Sequence, residues 1–436
     1  MKTFRKNIKL YFGLASLALI VSCKPEISND FEPTQNGNVD FSKYISIGNS
    51  LTAGFSDGGL YLEVQKTAFP NLIAEKFRSH GGGEFNTPFF SEAQSNGSGY
   101  IRLKELVNGN PVTESVTDKL AYTGANTLAK YEGPEIHNLG IPGMRIDHSG
   151  VGQVSAANMY FKRLIADNEV GTKNYQQFVA GRNHTFFTFW LGNNDVLGYA
   201  SNGGYEDPLD PTTTYTSEAV FKAVYTNFIN LLTDKNQKGV LATIPDVTSV
   251  PFFTTVTTAR IEAGVKASTG GAFEKIYITT ANGVRAATSE DLFTLRFPTD
   301  TLGKAVVYGN PMTAGYGLIP QNPLHDKFVL DKDEIADIKA RVNNLNAFIK
   351  NLAKDKNLAV ADVNSLLTKL KTGINYNGVG VSSAYVTGNA FSLDGIHLTP
   401  MGNAIMANMI IEAINSKYGT KVGKVDATGF RGVKMP

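Results

Sequence analysis

Cysteine and tryptophan are almost absent from this chain of 436 residues, which has one of each. A single cysteine excludes disulfides within the chain and metal sites built from several thiolates. Long apolar runs are also lacking, because the N-terminal stretch Leu10 to Val21 has only 12 residues and is too short to span a bilayer comfortably. No patch of interleaved Lys, Arg and aromatic residues stands out, so nucleic acid is not an expected partner.

Residues 1–23 resemble the leader of a bacterial lipoprotein. A cationic start precedes the apolar stretch, as in a signal peptide. The stretch ends in Ile20-Val21-Ser22-Cys23, which is similar to a lipobox, in which the cysteine is lipidated and becomes the new N-terminus. We therefore expect a lipid anchor at Cys23 that holds the protein in the bacterial cell envelope, at the outer membrane, facing the periplasm or the cell surface. The alternative is an ordinary signal peptide followed by a free, buried cysteine.

The formal charge of +2 belongs to this leader. Without residues 1–23, the chain has 37 Lys and Arg against 39 Asp and Glu, a net charge of about −2. Residues 24–40 are polar and contain two prolines, as expected for a flexible tether. The folded domain is predicted over residues 41–420, followed by a loosely held tail at 421–436.

Short apolar runs alternate with helical patterns downstream of Phe41, which is typical of a parallel sheet covered by helices on both faces. Strands are predicted at Tyr44 to Ile47, Glu135 to Leu139, Thr185 to Leu191, Gly239 to Ile244 and Leu358 to Asp362.

The clearest predicted helix runs over residues 332–353, with Asp331 as N-cap and Glu334 at the third helical position. Another helix is predicted to follow Pro400. Two stretches, residues 80–133 and 250–330, interrupt the alternation of strands and helices. They are predicted to be insertions that build walls or a lid over a site.

A serine directly follows the first predicted strand, in Gly48-Asn49-Ser50-Leu51-Thr52-Ala53-Gly54. Open α/β sheets bind ligands at the carboxyl ends of their strands, although serine beside glycine is also ordinary turn chemistry.

Near the other end of the chain, Asp394-Gly395-Ile396-His397 precedes the last predicted helix. This spacing lets the carboxylate accept a hydrogen bond from one ring nitrogen, which leaves the other nitrogen to take a proton from a serine.

Hydrogen-bond donors also occur where two further predicted strands end. The two segments are Asn138-Leu139-Gly140-Ile141-Pro142-Gly143 and Trp190-Leu191-Gly192-Asn193-Asn194-Asp195. An asparagine side chain and a glycine N–H are the donors that an oxyanion hole requires. Each feature alone is typical of a turn. Together, the four features are predicted to converge on one edge of the sheet.

In this order the four segments resemble the sequence blocks of the SGNH/GDSL hydrolase family, from Tyr44 to Gly402. The resemblance implies a flavodoxin-like α/β three-layer sandwich with a central, mostly parallel five-stranded sheet and, here, large insertions. It implies Ser50 as nucleophile, His397 as general base and Asp394 as the group that orients the imidazole. The implied oxyanion donors are the N–H of Ser50, the N–H of Gly143 and the side chain of Asn194, with Gly140 as the alternative glycine.

The resemblance implies a serine esterase that removes acyl or acetyl groups from a small-molecule, lipid or glycan ester, without a metal or cofactor. The chain departs from the family at Asn49, where Asp is usual, since the amide keeps an acceptor oxygen but lacks the charge. The GxSxG motif of the α/β-hydrolase fold is absent, which argues against that fold. The alternative function is a surface lipoprotein that binds glycan or protein without catalysis, because fold alone does not fix activity.

Overall fold

The structure is a computed structural model that describes residues 37–305 and 314–436. The predicted signal peptide, Cys23 and most of the tether lie outside the described residues. Within those two ranges, no helix is both long enough and apolar enough to cross a membrane. Buried side chains begin at Val39 and Phe41.

The strands are numbered β1 to β15 in chain order. They are Tyr44–Gly48, Tyr100–Val107, Asn110–Val116, Tyr122–Gly124, Thr127–Leu128, Asn138–Gly140, Phe186–Trp190, Lys238–Ala242, Tyr277–Thr280, Gly283–Ala286, Leu292–Phe293, Val329–Leu330, Ala359–Ala361, Ile374–Tyr376 and Val379–Val381.

The helices are numbered α1 to α13 in the same way. They are Ser50–Ala53, Leu62–Lys66, Phe69–Phe77, Val154–Ala157, Met159–Lys162, Tyr175–Ala180, Asn194–Ser201, Glu218–Leu232, Pro251–Thr254, Thr258–Ser268, Lys332–Asp355, Val363–Thr372 and Pro400–Tyr418.

Five strands form the central sheet, in the order β13-β8-β7-β1-β6, and every neighbouring pair is parallel. The predicted five-stranded parallel sheet is therefore confirmed. In a parallel sheet all carboxyl ends meet at one edge, so the residues after β1, β6 and β7 are neighbours in space.

Helices cover both faces of this sheet, as side chains of β7 show. Phe186 contacts the rings of Phe77 in α3 and Tyr418 in α13. Phe189, three positions along the strand, contacts Tyr225 and Phe228 in α8. Because successive side chains of a strand point to opposite faces, α3 and α13 cover one face and α8 the other. The result is the predicted three-layer sandwich.

The edge strand β6 differs from its prediction, since it begins at Asn138 rather than Glu135. The N–H groups of His137 and Asn138 both donate to the carbonyl of Asn86, at 2.8 and 3.1 Å. Asn86 belongs to a loop of the first insertion. Residues just before β6 therefore bond to that loop, and only residues 138–140 follow the strand pattern.

The predicted helix start at Asp331 is observed. Its side chain accepts hydrogen bonds from the N–H groups of Asp333 and Glu334, both at 2.9 Å, and Glu334 accepts one from the N–H of Asp331 at 2.8 Å. This reciprocal cap satisfies donors that a helix end leaves unpaired.

The two predicted insertions have structures of their own. The first carries the antiparallel hairpin β2–β3. The second has a separate hydrophobic core, which includes Ile278, Phe293, Leu324 and Val329. A second core explains why residues 250–330 did not fit the alternation of the central sheet.

The prediction of a loosely held tail is wrong for residues 422–427. Val422, Val425 and Ala427 are buried. Asn408 of α13 donates a hydrogen bond to the carbonyl of Val425 at 2.8 Å and accepts one from its N–H at 2.7 Å. The tail therefore pairs its backbone with a buried asparagine, a contact that its polar composition did not reveal.

Candidate active site

Ser50 is the first residue of α1 and follows β1 at the carboxyl edge of the sheet. Asn49 caps this helix, because its Oδ1 accepts a hydrogen bond from the N–H of Leu51 at 3.2 Å. Ser50 is only 7% exposed. Since it is the first helical residue, its backbone N–H has no partner within the helix. The turn therefore presents a hydroxyl and an N–H group at one point.

Gly48 allows this turn to lie close to β7. A Cβ at position 48 would lie 2.8 Å from the carbonyl oxygen of Trp190, so a larger residue would displace the turn. The buried hydroxyl of Tyr175 accepts a hydrogen bond from Gly48 N at 3.1 Å and donates to the carbonyl of Leu139 at 2.6 Å. These contacts fix the ends of β1 and β6 relative to each other.

His397 connects Ser50 to Asp394. Its Nε2 lies 2.9 Å from Ser50 Oγ, and its Nδ1 lies 2.9 Å from Asp394 Oδ2. The imidazole also packs against Phe55, with ring centroids 4.6 Å apart. Because Asp394 accepts the hydrogen of Nδ1, Nε2 faces the hydroxyl with its lone pair. The structure thus brings together the three residues that the sequence predicted as a triad.

Hydrogen-bond donors surround the carboxylate of Asp394. Its Oδ1 accepts from the N–H groups of Ile396 and His397 and from the hydroxyl of Ser392, at 2.9, 2.8 and 3.1 Å. Its Oδ2 accepts from Gly58 N at 2.8 Å as well as from the imidazole. Burial would raise the pKa of Asp394, but the charge and hydrogen bonds of His397 outweigh burial and hold this pKa well below its usual range. Asp394 is therefore an anion at neutral pH.

The turn at Asp57 and Gly58 holds the turn of Asp394 in place. Asp57 N donates to Ser392 Oγ at 2.9 Å, and Asp57 Oδ1 accepts from Leu393 N at 2.9 Å. Asp57 has a φ of +53°, which is uncommon for a residue with a Cβ. The Asp-Gly-Gly run is a local sequence signal for a turn. It does not reveal the hydrogen bonds of Asp57, because the partners of Asp57 lie more than 300 residues away in the chain.

The two glycines considered as oxyanion donors have different surroundings. Gly140 N already donates to Asn138 Oδ1 at 3.1 Å, and a Cβ at position 140 would collide with the backbone of Ala53. Gly143 has a φ of +80°, and its N–H has no protein acceptor among the residues that the structure describes. Gly143 also lines the same open groove as Ser50. The geometry therefore favours the N–H of Gly143 over that of Gly140 as the glycine donor.

Asn194 begins α7 at the end of β7. Its Nδ2 donates to the carbonyl of Met144 at 3.0 Å, which orients the amide and leaves a second hydrogen for another acceptor. Asn194 lines the groove together with Ser50, Gly143 and His397. The predicted oxyanion donors thus lie around one groove with the predicted nucleophile.

Asp195 has a structural role that the sequence reasoning missed. Both of its oxygens accept from Ile146 N, at 3.1 and 2.9 Å, and Oδ1 also accepts from the hydroxyl of Thr216 at 2.6 Å. Arg145 donates to Thr216 Oγ1 at 2.9 Å and pairs with both oxygens of Asp147. Burial, the largest effect, raises the pKa of Asp195 to about 6. The network fixes the turn after Gly143 against the start of α7.

The three-layer α/β fold and the groups at the sheet edge are those expected of the SGNH/GDSL class of ester hydrolases. A model of the GDSL-like lipase/acylhydrolase family matches residues 44–410, most of the chain, and the protein therefore belongs to this family.

Two solved structures resemble the chain over most of their length. An acetyl xylan esterase is 16% identical, with a TM-score of 0.32, and the match covers 85% of this chain and 98% of that one. A protein described as a GDSL-like lipase from Parabacteroides merdae is 11% identical, with a TM-score of 0.33, over 87% of this chain and 98% of that one. A comparison with curated proteins gives no match.

Proposed function

We propose that the protein hydrolyses carboxylic esters through an acyl enzyme on Ser50. His397 Nε2 takes the proton of Ser50 Oγ as that oxygen attacks the ester carbonyl, and Asp394 stabilises the resulting imidazolium. The imidazolium then gives its proton to the leaving alcohol. A water molecule then attacks the acyl group as the same imidazole takes its proton. The bond from the acyl carbon to Ser50 Oγ breaks, the imidazolium returns the proton to Oγ, and the acid leaves.

The observation that carries this proposal is the hydrogen-bonded series from Ser50 Oγ to His397 to Asp394, with both links at 2.9 Å. These distances lie within the reach required of a nucleophile, its base and the group that orients the base. The low pKa of Asp394 supports the proposal further, because an ionised carboxylate favours the imidazolium that forms during attack.

The oxyanion that forms on the carbonyl needs donors placed in advance. We assign this role to the N–H of Ser50, the N–H of Gly143 and the side-chain amide of Asn194. Their support is the shared groove, the hydrogen bond that orients Asn194 and the engagement of Gly140 by Asn138.

The test is covalent labelling by a fluorophosphonate probe together with hydrolysis of nitrophenyl acetate. Wild type is expected to label and to hydrolyse the ester, whereas Ser50→Ala is expected to do neither. Ser46→Ala, which changes a buried serine in strand β1 just before the turn that carries Ser50, is the matched control and should retain both. A folded wild-type protein that never labels would contradict the proposal and favour the non-catalytic binding function.

The lipid anchor at Cys23 and the location in the cell envelope stay predictions that rest on the leader sequence alone. Incorporation of an alkynyl fatty acid into wild type but not into Cys23→Ser would support them, and equal incorporation would contradict them.

A further inference from the structure

Two cavities meet at Ser50, and both are lined by Ser50, Asn194, Leu197 and His397. One is an open groove of about 490 Å³ that also contacts the ring of Phe55. The other is a more enclosed pocket of about 40 Å³. The carbonyl carbon of an ester carries an acyl chain on one side and an alcohol on the other. The site thus offers one large and one small space for these two groups.

Closely packed side chains fix the size of the 40 Å³ pocket. Its walls include Val250, Leu367, Phe391 and Met406, each at most 5% exposed. They come from separate parts of the chain, and a packed interior resists even one added methylene group. A cavity that holds a single water has roughly 10–15 Å³. The pocket therefore has room for a methyl or ethyl group and very little more.

Unpaired polar atoms lie behind the wall of the pocket. Asn49 Nδ2, Trp190 Nε1 and both amide atoms of Asn193 are buried and have no hydrogen-bond partner within the described parts of the chain. All three residues line this pocket and are 1–3% exposed. The cap bond from Leu51 to Asn49 Oδ1 fixes the Asn49 amide, so Nδ2 faces away from that bond.

Because these atoms have almost no accessible surface, the surface that faces the pocket is nearly all apolar. An apolar surface suits an alkyl group, and the small volume limits the length of that group. The pocket therefore selects against long acyl chains by its volume.

The alcohol must leave toward solvent during acylation, whereas the acyl group stays on Ser50 until water releases it. The open groove suits the group that departs, and the enclosed pocket suits the group that stays. Building on the proposed esterase function, we propose that the protein is specific for short acyl groups, acetyl and propionyl, on bulky alcohols, with the acyl group in the 40 Å³ pocket.

The first test is a series of nitrophenyl esters from acetyl to octanoyl on the full-length protein, with fluorophosphonate labelling in parallel. We expect kcat/KM to fall by roughly 10-fold or more between acetyl and butyryl, and further for octanoyl, because each extra methylene must be forced into a filled space. Equal or rising values with chain length would overturn the short-acyl assignment while the esterase function stands. Absence of both labelling and hydrolysis would overturn the esterase function itself.

The second test uses a matched pair on α12. Leu367 and Leu370 are 5% and 3% exposed, but only Leu367 lines the pocket. Leu367→Ala is expected to raise the ratio of butyryl to acetyl kcat/KM by roughly 10-fold, whereas Leu370→Ala should leave this ratio unchanged. The ratio compares two substrates on one protein, so a loss of folded fraction cancels.

Val250→Ala enlarges the pocket at a different wall, and it serves as the second variant should Leu367→Ala fold poorly. It is also expected to raise the ratio of butyryl to acetyl kcat/KM. An unchanged ratio in the folded pocket variants, or an equal rise in Leu370→Ala, would overturn the placement of the acyl group.

Discussion

Asp394 and Asp195 lie at the same edge of the sheet, with the Asp394 side chain 15% exposed and Asp195 fully buried, and their pKa values move in opposite directions. Asp394 is surrounded by backbone and hydroxyl donors and by the imidazole of His397, which outweigh burial and keep its pKa well below the usual range. Within the described residues, the donors to the Asp195 carboxylate are Ile146 N and the hydroxyl of Thr216, and the charge of Asp147 lies nearby. Burial therefore dominates and raises the pKa of Asp195 to about 6.

Hydrogen-bond donors and nearby charges therefore determine whether an aspartate shielded from solvent stays ionised. Asp394 stays ionised and stabilises the positive charge that the mechanism places on His397. Asp195 makes no contact with the predicted triad among its hydrogen bonds, and it fixes the turn that carries Gly143. One aspartate is thus proposed to act in the chemistry and the other in positioning the oxyanion donors.

The largest expected difference between the two residues is kinetic. Asp394→Asn should lower kcat by roughly 10⁴-fold, because an amide cannot hold the imidazole in the required tautomer or stabilise its charge. Asp195→Asn keeps an acceptor oxygen for Ile146 and should lose far less. Steady-state hydrolysis of nitrophenyl acetate measures both variants, with thermal melting as the control for folding. Similar losses in the two variants would contradict the separate roles of the two aspartates.

A smaller loss is expected for the donor that Asp195 helps to position. Asn194→Ala should lower kcat by roughly 100- to 1,000-fold, on the order of 3 kcal/mol, because one oxyanion donor is removed. KM should change little, since the interaction forms mainly in the transition state. Measurement of kcat and KM separately checks this expectation, and a rise in KM with unchanged kcat would assign Asn194 to substrate binding instead.

The smallest expected effect concerns stability and has opposite signs for the two aspartates. The folded-state pKa of Asp195, about 6, lies above the ordinary aspartate value of 3.8. Its contribution to stability is therefore fully present below about pH 4 and is lost as the pH rises through about 6. The free energy of unfolding of wild type relative to Asp195→Asn should increase by up to about 3 kcal/mol between pH 7 and pH 4.

Asp394 provides the control for this measurement. Its folded-state pKa is lowered, so its contribution is present above about pH 4 and is lost as the pH falls toward that low pKa. Urea unfolding of wild type and both variants at several pH values measures the two trends. Parallel curves for the two variants would contradict the opposite pKa directions.

Much of the site could be predicted because local sequence determines it. Gly48, Asn49 and Ser50 follow a buried strand, and the spacing of Asp394 and His397 places a carboxylate beside an imidazole within one turn. The helix cap at Asp331 could also be predicted, since the capping residue and the helix are neighbours in the chain.

Predictions at the edges of the fold were less accurate, because residues distant in the chain determine where those segments begin and how they pack. The start of β6 depends on Asn86, and the packing of the tail depends on Asn408. Neither partner is recognisable from the segments themselves. The preference for Gly143 over Gly140 likewise became visible only once Asn138 was seen to accept the Gly140 N–H.

The sequence by itself determined the order of the five central strands along the chain, the helices that follow Asp331 and Pro400, the family resemblance and the residue types that the chemistry needs. Periodicity, caps and short motifs act over a few residues, so the chain alone shows them. Only the tertiary structure decided that Gly58 would donate to Asp394 and that Asn49 and Asn193 would line a small pocket beside Ser50. Those features depend on how segments hundreds of residues apart pack together, and packing of that range leaves no local pattern in the chain.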